Sequence, residues 1–118
     1  MRRNKPNRGR SKNYSDAVLV DIYGGLIKEE NRETLMLYYN EDHSLAEVAE
    51  NYGTTRQAVQ QNISRSMAKL KKYDKSLRLV SMFNEIEKIS YAMEDFAERE
   101  GAKEIAALAK KLQALIEN

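Results

Sequence analysis

The chain has 118 residues, 42% of them hydrophobic and 32% charged, which suffices for one domain or for one domain with an appendage. It contains no Cys and one His, so disulfides, cysteine nucleophiles and thiolate metal sites are excluded, and we expect no metal and no cofactor. No apolar run approaches the ~20 residues of a membrane span, and no apolar segment follows the basic N-terminus, so we expect a cytoplasmic protein without a span or a secretory signal.

The net charge of +2 conceals a segregated distribution. Residues 1–15 carry six basic side chains and no acidic one, and residues 56–80 carry seven basic side chains and one acidic. Residues 16–55 carry nine acidic side chains and two basic, and residues 81–118 carry eight acidic and five basic. Positive charge concentrated on an arm and on one short segment is typical of a protein that binds a polyanion.

The first 15 residues are predicted to form a disordered basic arm, because they offer almost nothing to bury. Such an arm could search phosphates, or it could act only as a solubilising extension, and the sequence leaves both open. From Asp16 onward the chain is predicted to be helical nearly to its end, since its only Pro lies in the arm.

Two helices are predicted before the central segment, over about 16–27 and about 30–39. The pair Gly24-Gly25 either ends the first helix early or lets another helix approach closely. The apolar side of the first helix is predicted to comprise Val18, Leu19, Ile22, Tyr23 and Leu26.

The next two helices have well-defined boundaries in the sequence. Ser44 and Glu47 match the S-x-x-E capping box, so a helix is predicted to begin there. Gly53 supplies the positive φ that a sharp exit requires. Thr55, or Thr54, is predicted to cap the long helix that follows.

The long helix that begins at Arg56 carries an apolar stripe, and the sequence leaves open whether it breaks near Asp74–Ser76.

A C-terminal helical hairpin is predicted over 79–118. From Leu79 the apolar spacing alternates between threes and fours, as in a seam between packed helices. Gly101 separates this helix from the last one, over about 102–117. We predict a homodimer whose interface comprises Leu79, Met82, Ile86, Ile89, Met93, Phe96, Leu108 and Leu112.

The central pair of helices matches a helix-turn-helix motif, within a domain predicted over 16–78. Ala49 is small where the second helix must cross closely, and Gly53 permits the turn. Val48, Val59 and Ile63 are predicted to form the shared core. The expected fold is therefore all-α, with a helix-turn-helix, a long helix and a C-terminal hairpin.

The second helix of such a motif places its N-terminal residues in the major groove of DNA. Arg can pair with guanine and Gln with adenine, whereas Thr near a helix N-terminus suits phosphate and more distant Arg and Lys act through charge. In the alternative interpretation these residues form only a solvated polar face. The predicted nucleic-acid-binding residues are Thr54, Thr55, Arg56, Gln57, Gln60, Gln61, Arg65 and Lys69.

The segment YYNEDHSLAEVAENYGTTRQAVQQNISRSMAKL, with the preceding YGGLIKEENRETLML, resembles the YlxM family of small bacterial helix-turn-helix proteins. That family in turn resembles region 4 of σ70-type sigma factors. The resemblance implies an all-helical DNA-binding regulator with a sigma region 4 type helix-turn-helix. It also implies a link to the signal recognition particle, because such genes tend to neighbour those of the particle's GTPase and its receptor. Members of that family often have an aromatic and an acidic residue where this chain has Gln60 and Gln61. The base preference of the family therefore cannot be transferred to this chain.

Two functions therefore remain open. The first is a homodimeric DNA-binding regulator. The second is an adaptor that binds the signal recognition particle's RNA or protein, to which the acidic segment 16–55 could contribute by docking a basic partner. No enzyme and no catalytic residue is expected, because the one His, His43, lies in a polar turn without the partners of a catalytic set.

Overall fold

The computed structural model describes residues 14–117 of the chain. Every regular element in that range is helical, which confirms the all-α prediction. The helices belong to two compact units that divide after Arg78, with four α-helices in the N-terminal unit and two in the C-terminal unit.

The N-terminal unit is built around its last and longest helix, on which the other three pack. A 3₁₀ turn over Gly24–Leu26 follows the first helix, and a π-helical turn over Met36–Asn40 continues the second. The four helices are α1 (Tyr14–Tyr23), α2 (Glu29–Leu35), α3 (Leu45–Tyr52) and α4 (Arg56–Leu77).

Helix α1 differs from its predicted bounds at both ends. It begins at Tyr14, so two residues assigned to the arm belong to the helix, and the rest of the predicted arm lies outside the described residues. It ends at Tyr23, so the glycine pair ends the helix early. The prediction that Leu26 faces inward is wrong, because the 3₁₀ turn takes this side chain out of the helical stripe and exposes it. Val20, which the pattern did not single out, is buried instead.

The core of the N-terminal unit follows the predicted helix-turn-helix packing. Val48 and Ala49 of α3 are buried, as are the stripe residues of α4, which confirms those predictions. The fully buried Leu35 brings α2 onto the same core, since α2 also packs on α4. The buried residues of α4 are Val59, Ile63, Ser66, Met67 and Leu70.

Helix α4 runs through Asp74–Ser76 without a break and ends at Leu77. The interruption falls on Arg78, whose backbone is left-handed with φ of 53°. Its N–H still donates to the carbonyl of Asp74 at 2.7 Å, so the helix ends within one residue. A left-handed conformation at a residue other than Gly, Asn or Asp is uncommon, so the residue type does not indicate one at Arg78.

The C-terminal unit is a helical hairpin of α5 (Leu79–Arg99) and α6 (Lys103–Glu117). The turn between them contains Gly101 in the left-handed conformation, with φ of 72°. The side chains buried in the hairpin are small or polar, namely Ser90, Ala97, Ala106, Ala109 and Gln113. Large apolar residues such as Ile86 and Leu112 are half-buried, so the packing of α5 on α6 covers them only in part.

Candidate nucleic-acid interface

Helix α3 begins with the predicted capping box. The N–H of Glu47 donates to Ser44 Oγ at 3.0 Å, and the N–H of Ser44 donates to Glu47 Oε1 at 2.8 Å. The two bonds satisfy backbone donors that a helix N-terminus otherwise leaves without a partner. The helix then exits through Gly53, whose φ is 67°, and the N–H of Thr54 donates to the carbonyl of Ala49 at 2.9 Å.

Helix α4 is capped by Thr55 and not by Thr54. The N–H of Ala58 donates to Thr55 Oγ1 at 3.0 Å, and Thr55 has extended backbone dihedrals. The cap fixes the first turn of α4, where the positive end of the helix macrodipole lies. Thr54 is exposed in the turn before it.

All eight predicted nucleic-acid-binding residues are exposed, from Thr54 and Thr55 in the turn to Lys69 in α4. They do not share one side of the helix. At about 100° of rotation per residue, Gln61 lies almost opposite the middle of the buried stripe of α4 and Gln57 about 140° from it. Arg56 and Gln60 lie only about 40° and 80° from it, so they flank the core. Gln61 therefore projects furthest from the core, and Gln57 and Arg65 lie about 40° to either side of it.

The sequence interpretation missed how this surface continues. Ala68 and Lys72 are exposed and lie more than about 150° from the middle of the buried stripe, in line with Gln57 and Gln61. We call the line of Gln57, Gln61, Ala68 and Lys72 the outer face. Arg65 and Lys69 border it on one side. The 3.6-residue period, applied along all of α4, would have found the same line.

One basic residue beside the outer face is already paired within the protein. Lys71 Nζ lies 3.9 Å from Asp16 Oδ1, and the same carboxylate accepts a hydrogen bond from the Tyr39 hydroxyl at 3.2 Å. Burial, followed by the charge of Asp16 and this hydrogen bond, raises the pKa of Tyr39 above its ordinary value of 10.0. Lys71 is therefore less available to a phosphate than its neighbour Lys72.

Several acidic side chains of residues 16–55 are also engaged locally. Tyr52 donates from its hydroxyl to Glu33 Oε1 at 3.0 Å, and its pKa is raised by partial burial and by this bond. Arg32 lies 3.7 Å from Glu29, and Glu47 belongs to the capping box. Glu50 is exposed on α3.

The predicted oligomer interface divides into two groups. Leu79, Ile86 and Leu112 are half-buried. The other five are exposed, namely Met82, Ile89, Met93, Phe96 and Leu108.

The described residues do not bring together a metal-binding set. Within 14–117 no group of three or more His, Asp or Glu side chains could hold a metal ion. His43 is half-buried and not fully solvated, with its backbone N–H donating to the Leu37 carbonyl at 3.0 Å. No helix in this part of the chain combines the length and apolarity needed to cross a membrane.

Comparison with known proteins agrees with this architecture. Residues 11–111 match a family model described as "UPF0122: Putative helix-turn-helix protein, YlxM / p13 like". The chain is 36% identical over 97 residues to the UPF0122 protein YlxM of Bacillus subtilis, covering 82% of this chain and 86% of that protein. It is 38% identical over 99 residues to a UPF0122 protein of Geobacillus kaustophilus, and 35% identical over 98 residues to one of Halalkalibacterium halodurans. Both alignments cover 82% of this chain and 90% of the relative.

Proposed function

Because the chain belongs to the YlxM/p13-like family of helix-turn-helix proteins, we propose that it is a DNA-binding regulatory protein that inserts α4 into the major groove. It acts as a homodimer held by the C-terminal hairpin, and it works in the cytoplasm, where bacterial DNA lies. No catalytic step belongs to this function.

The exposed amides at the start of α4 carry the proposal. Gln57 and Gln61 are one turn apart on the outer face, and the Thr55 cap holds the turn on which they lie. A Gln side chain pairs with adenine N6 and N7 in the major groove, and each such bidentate contact contributes ~1–3 kcal/mol of discrimination. Buried or internally bonded amides would have had no such role.

Charge along the same helix supplies the second component of binding. Arg65, Lys69 and Lys72 are exposed at and beside the outer face. Contacts from these residues to phosphates release counterions, which raises affinity for every duplex and makes it depend on salt. Arg56 and Gln60, which flank the core, make secondary contacts at the edge of the groove.

Selection from random duplexes with the full chain tests sequence-specific recognition. We expect an enriched site for the wild-type protein and a relaxed preference at one position for Gln61→Ala. Gln60→Ala is the matched comparison, because it removes the same side chain from an adjacent residue with only secondary contacts, and we expect it to relax the preference less. Failure to enrich any site, or an equal loss in both variants, would contradict recognition by the outer face.

The acidic excess of residues 16–55 favours a second candidate function, in which the protein is an adaptor of the signal recognition particle. Glu50 is exposed on α3 beside the proposed DNA-binding helix, and acidic charge there repels phosphates but attracts a basic protein. Titration of the full chain against the particle's GTPase and against its RNA tests this candidate. Binding at moderate salt that Glu50→Gln weakens would favour it over DNA recognition, and no binding to either component would exclude it.

A further inference from the structure

The C-terminal hairpin leaves an unusual amount of apolar side chain exposed. Besides Tyr91, whose hydroxyl is bonded to Glu117, seven large residues on α5 and α6 are between 41% and 77% exposed. We call them the apolar face, and they are Met82, Ile89, Met93, Phe96, Ile105, Leu108 and Leu115.

A repeated sequence pattern, an exposed apolar residue followed by a buried small one, shows on which side of each helix these residues lie. On α5, exposed Ile89 and Phe96 each precede a buried small residue, Ser90 and Ala97. The exposed residues of each helix therefore lie about 100° around the helix axis from the side that packs on the other helix.

Helix α6 repeats this pattern with the same order. Exposed Ile105 and Leu108 each precede a buried Ala, at positions 106 and 109. The two helices of a hairpin run in opposite directions and pack on each other with facing sides. On each helix the exposed residue comes one position before the buried one, so it is rotated in the same sense about the direction of the chain. Because the chain directions are opposite, the exposed residues of both helices lie on the same side of the hairpin. Met82 and Met93 lie within about 40° of Ile89 around α5, and Leu115 lies about 20° from Leu108 around α6. The seven residues thus form one continuous surface and not two separate ones.

The other side of the hairpin is polar and closed by bonds between the helices. Gln113 Nε2 donates to Glu94 Oε1 at 2.9 Å, and Lys110 Nζ lies 3.5 Å from the second oxygen of Glu94. Tyr91 donates to Glu117 Oε2 at 2.8 Å. The hydrogen bond from Gln113 is the main cause that lowers the pKa of Glu94. These bonds fix the register of α5 against α6, so the apolar face is held in place without a partner.

The extent of the apolar face matches half of a stable protein interface. Its seven side chains expose on the order of 700 Å², which is more than the ~300–600 Å² of the largest patch on an ordinary monomer. A standard interface buries ~800 Å² on each partner. The face is therefore large enough to hold a complex together by itself.

The charges at the edges of the hairpin indicate which partner covers this face. Glu85 and Lys88 lie 3.4 Å apart at the outer edge of α5, and Glu104 and Lys111 lie along the outer edge of α6. Both signs occur on both edges, so the rim selects neither a strongly basic nor a strongly acidic partner. A second copy presents the same mixed rim and the same apolar surface, which is the condition for an isologous contact.

We propose that two copies of the chain pack apolar face to apolar face, so that α5 and α6 of each copy form a four-helix bundle. The inference deepens the homodimer of the proposed function and assigns both helices to one surface, with Ile105 and Leu115 added to the interface. Met93 and Phe96 lie within the bundle, and the bonded side with Glu94 faces solvent. Bundles of this kind bury a and d positions of four helices in one core.

Sedimentation equilibrium of the full chain without nucleic acid tests the bundle. We expect a mass of twice 13.6 kDa at micromolar concentration. Leu108→Glu should raise the dimer dissociation constant at least tenfold, whereas Ala107→Glu should leave it unchanged. Ala107 is the adjacent exposed residue and points away from the apolar face.

A second matched pair on α5 tests whether both helices share the surface. Ile89→Glu should also weaken the dimer at least tenfold, and Asn84→Glu, at an exposed residue on the bonded side of α5, should not. Circular dichroism at the same concentrations checks that each variant keeps its helix content. A monomeric wild type, equal effects within either pair, or an effect confined to one helix would overturn the proposal. The mass measured without DNA does not depend on recognition, so a failed duplex selection leaves this result intact.

Discussion

The hydroxyl of the buried Tyr23 donates a hydrogen bond of 2.6 Å to Asp74 Oδ1, across 51 residues of chain. Tyr23 is the last residue of α1, and Asp74 lies in the last turn of α4. The bond therefore anchors the end of one helix to the end of another, beside the ring contact of Tyr23 with Tyr73 at 6.2 Å between centroids.

Removing this hydroxyl should destabilise the N-terminal unit. A hydrogen bond to a charged group contributes ~1.5–3 kcal/mol, and Tyr23→Phe keeps the ring while it leaves the Asp74 carboxylate without this donor. We expect the free energy of unfolding in urea to fall by about that amount. Tyr73→Phe keeps the ring contact and the Tyr23 donor, so an equal loss in that variant would refute the role assigned to the bond.

Two adjacent threonines should differ in their effect on stability. Thr55→Ala removes the acceptor for the Ala58 N–H and should cost ~0.5–2 kcal/mol, as is typical of N-cap substitutions. Thr54→Ala changes an exposed turn residue that does not cap α4 and should cost much less. Thermal unfolding of both variants measures the difference. A larger loss for Thr54→Ala would show that Thr55 is not the residue that caps α4.

The bond between Tyr39 and Asp16 should make stability depend on alkaline pH. The pKa of Tyr39 is raised in the folded protein, so the unfolded chain loses this proton first. Its contribution is therefore fully present below the ordinary value of 10.0 and is lost as pH rises above it towards the folded pKa.

Urea titrations between pH 8 and pH 11 measure this dependence. Stability of the wild type should fall more steeply above about pH 10 than stability of Tyr39→Phe. Tyr14→Phe, a change at an exposed residue, should retain the wild-type slope. The same slope in wild type and Tyr39→Phe would show that Tyr39 is not the responsible group.

The sequence predicted the helix-turn-helix well because its signals are local. The Ser44–Glu47 box, Gly53 and the alternatives at Thr54 and Thr55 each specify a helix end within four residues, and the structure agrees at each end. The two predicted segments divide at 78/79, but the left-handed conformation of Arg78 was not predicted, because the residue type gives no warning of it.

The hairpin could be predicted from the sequence, but its packing could not. The threes and fours from Leu79 to Phe96 indicate a seam between helices, yet periodicity does not say which helix lies across it. In the structure α6 packs beside that stripe, on Ser90 and Ala97, which the hydrophobic pattern ignores. The outer face of α4, in contrast, could have been derived from the sequence, by applying the helical period along the whole of α4.

Two adjacent lysines of α4 should differ in their effect on DNA binding, because one is free to contact phosphate and the other is paired within the protein. Lys72 lies on the outer face, whereas Lys71 is 3.9 Å from Asp16. If α4 enters the groove, Lys72→Ala should weaken binding to all duplexes alike and reduce the slope of log K against log salt by about 1.

Lys71→Ala should change that slope much less, since its charge is already balanced within the protein. Fluorescence anisotropy with one duplex across a salt series measures both variants under the same conditions. Equal slopes for Lys72→Ala and wild type would remove Lys72 from the interface. A larger change for Lys71→Ala would mean that the other side of α4 faces the DNA.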